Sequence, residues 1–220
     1  MSKKPKKDSV LSFKYLMFDF IRITALPGVL FFRPKKIFIS EKAKQKIKGG
    51  ALIISNHSTL FDPMYLMMLI WYRRLHFVAM NELFGSKFRR WIFTNWFCCI
   101  EINRENFSLN SFKEIVNRLN RGQCVGIFPE GKVNEEKDGG FQAFKSGMIM
   151  MALKSKTPIV PLYIKKRKHW YSRLECVYGE PVNINDFIKD DKVTMNDINS
   201  ASKYLEEQEN KLREIAEGGK

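Results

Sequence analysis

Three short stretches of this chain are apolar almost without interruption: Ala51-Leu-Ile-Ile54, Cys124-Val-Gly-Ile-Phe128 and Ile159-Val-Pro-Leu-Tyr-Ile164. A strand with one wet face alternates apolar and polar residues. A run that does not alternate must be covered on both sides, which is the condition of a strand inside a parallel sheet. His76–Met80, Ile100–Ile102 and Leu174–Tyr178 read as further strands. Helical patterns fall between them. Met64–Tyr72 is opened by Pro63 and capped by Arg73-Arg74; Ser111-Phe-Lys-Glu114 is a capping box for a helix with Phe112, Val116 and Leu119 on one stripe; Lys145–Lys154 is a third. This alternation predicts an α/β fold with a largely parallel central sheet flanked by helices, active residues gathering at the carboxyl ends of strands.

Those strand ends carry the polar residues of interest. Gly49-Gly50 turns the chain into Ala51–Ser55, which delivers Asn56 and His57 into a polar turn, with Asp62 five residues beyond the histidine. An imidazole takes a proton from a hydroxyl well only when its tautomer and orientation are fixed, and a carboxylate on the far ring nitrogen does both. His57 as base and Asp62 as its orienter would be such a pair, although a lone histidine at a strand end is also a common structural residue. Arg104 follows Ile100–Ile102, Glu130 and Gly131 follow Cys124–Phe128, and Pro161 lies within Ile159–Ile164. Arg104 is a planar cation suited to holding phosphate through paired hydrogen bonds.

With 220 residues, 45% of them apolar, the chain can build one sizeable core. Its 38 basic residues against 23 acidic ones leave a formal charge of +15, which points to a polyanionic partner: nucleic acid, an anionic membrane or a phosphorylated substrate. No nucleic-acid-binding motif appears, so nucleic acid is not expected. The four cysteines, Cys98, Cys99, Cys124 and Cys176, show no paired spacing. Neither a disulfide framework nor a metal site is therefore expected, and a reducing, cytosolic setting fits.

Lys3, Lys4, Lys6 and Lys7 precede an apolar segment from Val10 to Phe32. Lys14, Asp19 and Arg22 interrupt this segment and Pro27-Gly28 breaks it, leaving no run near the roughly 20 residues needed to span a bilayer. It reads as two short amphipathic helices lying on a membrane, or alternatively as a helix pair docked on its own domain. Trp91–Phe97, flanked by Lys87, Arg89 and Arg90, is either core or a lipid-facing patch, and the basic-aromatic segment 165–173 suits a bilayer as well. Near the C-terminus, Ile198, Ala201, Leu205, Gln208, Leu212 and Ile215 form one stripe of a helix that docks on the domain. The expected division is a basic, membrane-interfacial segment over 1–42, an α/β domain over 43–190 and the docking helix over 191–220.

Taken in order, Asn56-His57-x4-Asp62, Ile102-Asn103-Arg104, Phe128-Pro-Glu-Gly131 and Val160-Pro-Leu162 resemble the successive motifs of the glycerolipid acyltransferases, the lysophosphatidic-acid-acyltransferase-like family. Phe144-Lys145-x-Gly147 and Gly179-Glu-Pro181 also match family habits, and the resemblance covers roughly residues 50–182. It implies an enzyme on the cytoplasmic face of a membrane that moves a fatty acyl group from acyl-CoA or acyl carrier protein to a lysophospholipid hydroxyl, 1-acyl-glycerol-3-phosphate above all. No cofactor is implied. By the resemblance His57 and Asp62 are catalytic, while Arg104, Glu130, Gly131 and Lys132 belong to the acceptor site. Transfer would be direct, leaving Ser55 and Ser58 as bystanders.

Two positions depart from the family: Cys98 stands where a glycine is common, and Lys132-Val133 where Thr-Arg is common. The second departure moves phosphate contacts onto Lys132 or Arg104. The segment Phe128-Pro-Glu-Gly-Lys-Val-Asn134 resembles instead the tafazzin branch, which transfers acyl groups between phospholipids. A non-catalytic anionic-lipid-binding protein is a further rival, disfavoured by the intact His57/Asp62 pair.

Overall fold

The computed structural model of the protein describes residues 15–24, 27, 33–102, 108–129, 140–167, 169, 172–188 and 193–218. Its centre is a seven-stranded sheet of β1 (Lys35–Phe38), β2 (Ala51–Ser55), β3 (Leu75–Met80), β4 (Ile100–Ile102), β5 (Cys124–Ile127), β6 (Ile159–Ile164) and β7 (Glu175–Tyr178). In space the order is β1-β7-β6-β2-β5-β3-β4. All pairings are parallel except β6 with β7, so the largely parallel sheet expected from the apolar runs is present, with β1 and β7 reversed.

Every residue of β2 is buried, and alternate side chains enter two layers. Ala51 and Ile53 face a core shared with α3 (Asp62–Leu69), through Tyr65, Leu66 and Leu69. Leu52 and Ile54 face the other, shared with α5 (Leu109–Asn120), α6 (Gly140–Ser155) and α7 (Met195–Gly218). The helices α1 (Leu16–Thr24), α2 (Glu41–Lys44) and α4 (Lys87–Asn95) complete the order. As expected of a docking helix, α7 buries Ile198, Ala201, Leu205 and Leu212, but Ala216 takes the place predicted for Ile215, which is 37% exposed.

Several local readings are corrected. The cap of α5 is Ser108, whose hydroxyl accepts from the Ser111 amide at 3.1 Å, one turn ahead of the predicted box; the Ser111 hydroxyl instead donates to the Glu101 carbonyl. Arg73 and Arg74 do not cap α3. Arg73 donates to the carbonyls of Ile47, Gly49 and Gly122, and Arg74 forms a two-bond ion pair with Asp19 at 2.9 and 2.5 Å. No strand is expected before Ala51 from the sequence, yet β1 joins the edge of the sheet.

That buried Asp19–Arg74 pair explains the acidic interruption of the N-terminal apolar segment. α1 docks on the domain through Tyr15 and Phe18, which pack against Cys98, while Leu16, Met17, Phe20 and Ile23 remain exposed on its outer face. The second helix of the expected pair lies outside the described residues. Among the described residues no helix is long and apolar enough to cross a membrane.

Candidate active site

β2 lies at the middle of the sheet, and its carboxyl end is locked by one side chain. The Asn56 amide donates to the Ile164 carbonyl at 2.9 Å and accepts from the Ile164 amide at 2.7 Å, acting as one more rung between β2 and β6. The backbone that carries His57 is thereby fixed to the neighbouring strand.

Asp62, at the start of α3, is buried, and a buried carboxylate needs partners. It has four. Oδ2 meets His57 Nδ1 at 3.0 Å and accepts from the amides of Ser58 and Thr59 at 2.6 and 2.8 Å, while Oδ1 accepts from the Thr59 hydroxyl at 2.8 Å. Because an ionised carboxylate only accepts, the neutral imidazole carries its proton on Nδ1 and presents a lone pair at Nε2. That is the tautomer a general base requires. The structure thus brings together His57 and Asp62 as the five-residue spacing predicts.

Aromatic stacking sets the ring plane. His57 lies on Phe128 with centroids 4.4 Å apart and planes 23° from parallel, and Phe128 lies in turn on Phe77 at 5.9 Å. Gly126 makes room for this column, since a Cβ there would approach Phe77 to 2.7 Å. The sequence names Asn56 and Phe128 only as members of motifs and reveals the role of neither.

His57 lines an apolar cavity of about 420 Å³, walled by Met67, Phe77, Leu83, Phe97 and others, and reaching Phe128 and Pro129. Cys99 also lines it, but burial pushes that thiol up to about 12, so it stays protonated at neutral pH. Ser55 is buried with its hydroxyl donating to Asn56, and the Ser58 hydroxyl accepts from Asn56. None of these three groups hydrogen-bonds to the His57 ring. The amides of Ser58 and Thr59 point at Asp62 and do not serve an oxyanion.

Arg104, Glu130, Gly131 and Lys132 lie outside the described residues. The strands leading to them, β4 and β5, run parallel to β2 or its neighbours and end on the same edge of the sheet as His57. Among the described residues no group of three or more histidine, cysteine or acidic side chains is placed to hold a metal ion.

Comparison with known proteins adds the family. Residues 36–165, more than half of the chain, match the acyltransferase family. The chain belongs to that family. This acyltransferase is 28% identical over 178 residues to the 1-acyl-sn-glycerol-3-phosphate acyltransferase of Bacillus subtilis, a match covering 76% of this chain and 85% of that one. It is 29% identical over 136 residues to Taffazin of Dictyostelium discoideum, covering 54% of this chain and 45% of that protein. In fold it is similar to the crystal structure of the 1-acyl-sn-glycerophosphate (LPA) acyltransferase PlsC from Thermotoga maritima, with a TM-score of 0.56, 19% identity and coverage of 90% of this chain and 82% of that one. The acyltransferase is thus an O-acyltransferase in which the His57–Asp62 pair and an apolar cavity meet at the carboxyl end of the central strand.

Proposed function

We propose that the enzyme moves a fatty acyl group from an acyl thioester, acyl-CoA or acyl carrier protein, to the free hydroxyl of 1-acyl-sn-glycerol-3-phosphate, giving phosphatidic acid. The observation that carries this reading is the Asp62-oriented His57 at the wall of a cavity large and apolar enough for a fatty chain. Its Bacillus relative bears the name of the same activity.

In the derived sequence of events His57 Nε2 takes the acceptor hydroxyl proton while the hydroxyl oxygen attacks the thioester carbonyl carbon. The tetrahedral intermediate collapses by breaking the carbon–sulfur bond, and the imidazolium returns the proton to the departing thiolate. Asp62 stays ionised and holds the imidazolium in place. Arg104, Glu130, Gly131 and Lys132 serve the phosphate and hydroxyls of the acceptor. Of the two cations, Arg104 does more, because a guanidinium binds phosphate through paired donors and an ammonium does not.

The enzyme works as a peripheral or monotopic protein on the anionic, cytoplasmic face of a membrane. Support comes from α4, none of whose residues is buried: Phe88 and Trp91 are 70% and 51% exposed beside Lys87, Arg89 and Arg90. Leu60 and Leu83, which line the His57 cavity, are exposed at its rim. Binding to liposomes should need anionic lipid and weaken with salt.

The test of activity is direct. Purified enzyme with a panel of lysolipids and labelled acyl-CoA or acyl carrier protein should yield phosphatidic acid by mass. The Taffazin likeness and the Phe128-Pro-Glu-Gly-Lys-Val-Asn134 segment favour a second reading, phospholipid–lysophospholipid transacylation. Robust exchange between intact phospholipid and lysophospholipid with no use of either thioester would replace the first reading by the second.

A further inference from the structure

A second cavity of about 420 Å³ lies beside the His57 turn, on the Asp62 side; apolar side chains such as Phe61, Met68 and Ile164 line much of it, but unlike the first it also carries cations. Three consecutive cations after β6, Lys165, Lys166 and Arg167, line it together with Thr59 and Tyr65. Arg167 is posed rather than dangling: its guanidinium donates to the Tyr65 hydroxyl, lies 4.6 Å from that ring's centroid and donates to the Ser172 carbonyl. Asp62 is the acidic residue in the lining, and it is already engaged by four donors.

We infer that this cationic cavity holds the phosphate-bearing part of the acyl donor, the phosphopantetheine phosphate that acyl-CoA and acyl carrier protein share. The inference rests on the acyl-transfer reading above. Direct transfer requires donor and acceptor at His57 together, and both are phosphorylated, so their phosphates must be kept apart. The sheet order separates them. The acceptor residues follow β4 and β5, on one side of β2, whereas Lys165–Arg167 follow β6, its neighbour on the other side. Met64 lines both cavities. A thioester with its chain in the apolar cavity and its phosphate among the cations crosses at the imidazole, where its carbonyl must be.

The experiment measures initial rates of the full-length enzyme with three donors carrying one acyl chain: acyl-CoA, acyl carrier protein and the acyl thioester of N-acetylcysteamine, which lacks phosphate. Lys166→Glu changes an exposed side chain and keeps the fold; Arg167→Ala tests the posed cation. Each should raise the apparent KM for a phosphorylated donor about tenfold, the effect of one lost charge-assisted hydrogen bond. The lysolipid KM and the rate with the truncated thioester should not move. Where the parent uses both carriers, a shift with one and not the other places the cations away from the shared phosphate and overturns the assignment; where it uses one carrier alone, a shift with that carrier supports it. A shift in the lysolipid KM, an equal loss with the truncated thioester, or weaker vesicle binding at an unchanged donor KM overturns it, the last marking a membrane contact. Parent enzyme that uses no thioester rejects the acyl-transfer reading itself, before any variant is compared.

Discussion

The two ends of strands β2 and β5 are built by different rules. At the carboxyl end the chain is held by side chains, Asn56 on β6 and Asp62 on the following turn, and His57 is left facing a cavity. At the amino end backbone is pressed on backbone. Arg73 gathers the carbonyls of Ile47, Gly49 and Gly122, with Gly49 and Gly122 both at positive φ, and Gly50 sits where a Cβ would lie 2.2 Å from the Leu119 carbonyl oxygen. One end leaves an oriented imidazole facing a cavity and the other closes the fold. Substitution of His57 at the first should change rate at constant melting temperature, and substitutions at the second should change melting temperature at constant rate per folded molecule.

The strongest way to break this contrast is His57→Ala. Loss of the proposed general base should lower kcat by about 10²–10⁴, with no change in the thermal midpoint. Activity within a few-fold of the parent, or a large drop in melting temperature, would place His57 among the structural residues. At the opposite end Gly50→Ala should cost about 3 kcal/mol in urea titration, the upper part of the overpacking range, because the obstruction is backbone and cannot swing aside. Arg73→Ala should cost about 2 kcal/mol, since carbonyls it satisfies lose a charged donor. In both variants the rate per folded molecule should equal that of the parent; a parallel fall in kcat would mean that the two ends are coupled through β2.

These regions also differ in how far the sequence reveals them. Buried strands are legible because burial on both faces removes polar residues, and β2, β5 and β6 announce themselves in this way. β1 does not: Lys35-Lys36-Ile-Phe38 is an edge strand with both end residues exposed, so its composition resembles a linker. His57 and Asp62 are legible because a local spacing suffices to join them. Arg73 and Arg74 look like helix caps in the sequence because their true partners, Gly122 and Asp19, are 49 and 55 residues away. The Phe77–Phe128–His57 column is hidden for the same reason, as stacking leaves no periodicity. Cys98 shows the converse: the family's preference for glycine there corresponds to a φ of +51°, a left-handed conformation that the cysteine occupies at some strain.

The smallest expected effect tests the amino-end rule from the stabilising side. α6 ends in a Schellman arrangement: the Lys156 amide donates to the Leu153 carbonyl and the Thr157 amide to the Ala152 carbonyl, both at 3.1 Å. Lys156 occupies the position where glycine is favoured, at a φ of +53°, and its side chain is exposed. Lys156→Gly removes the steric cost of a Cβ in the left-handed region, about 1–2 kcal/mol, and gives back part of it as greater freedom of the unfolded chain. The net gain should be about 0.5–1 kcal/mol. Thr157, the next residue, is buried and would lie 2.9 Å from a Cβ at Gly50, so this cap belongs to the same closed end of the sheet. A rise of the urea midpoint at unchanged kcat and unchanged donor and acceptor KM is expected; a fall in the midpoint would show that the lysine side chain contributes a contact outweighing the strain.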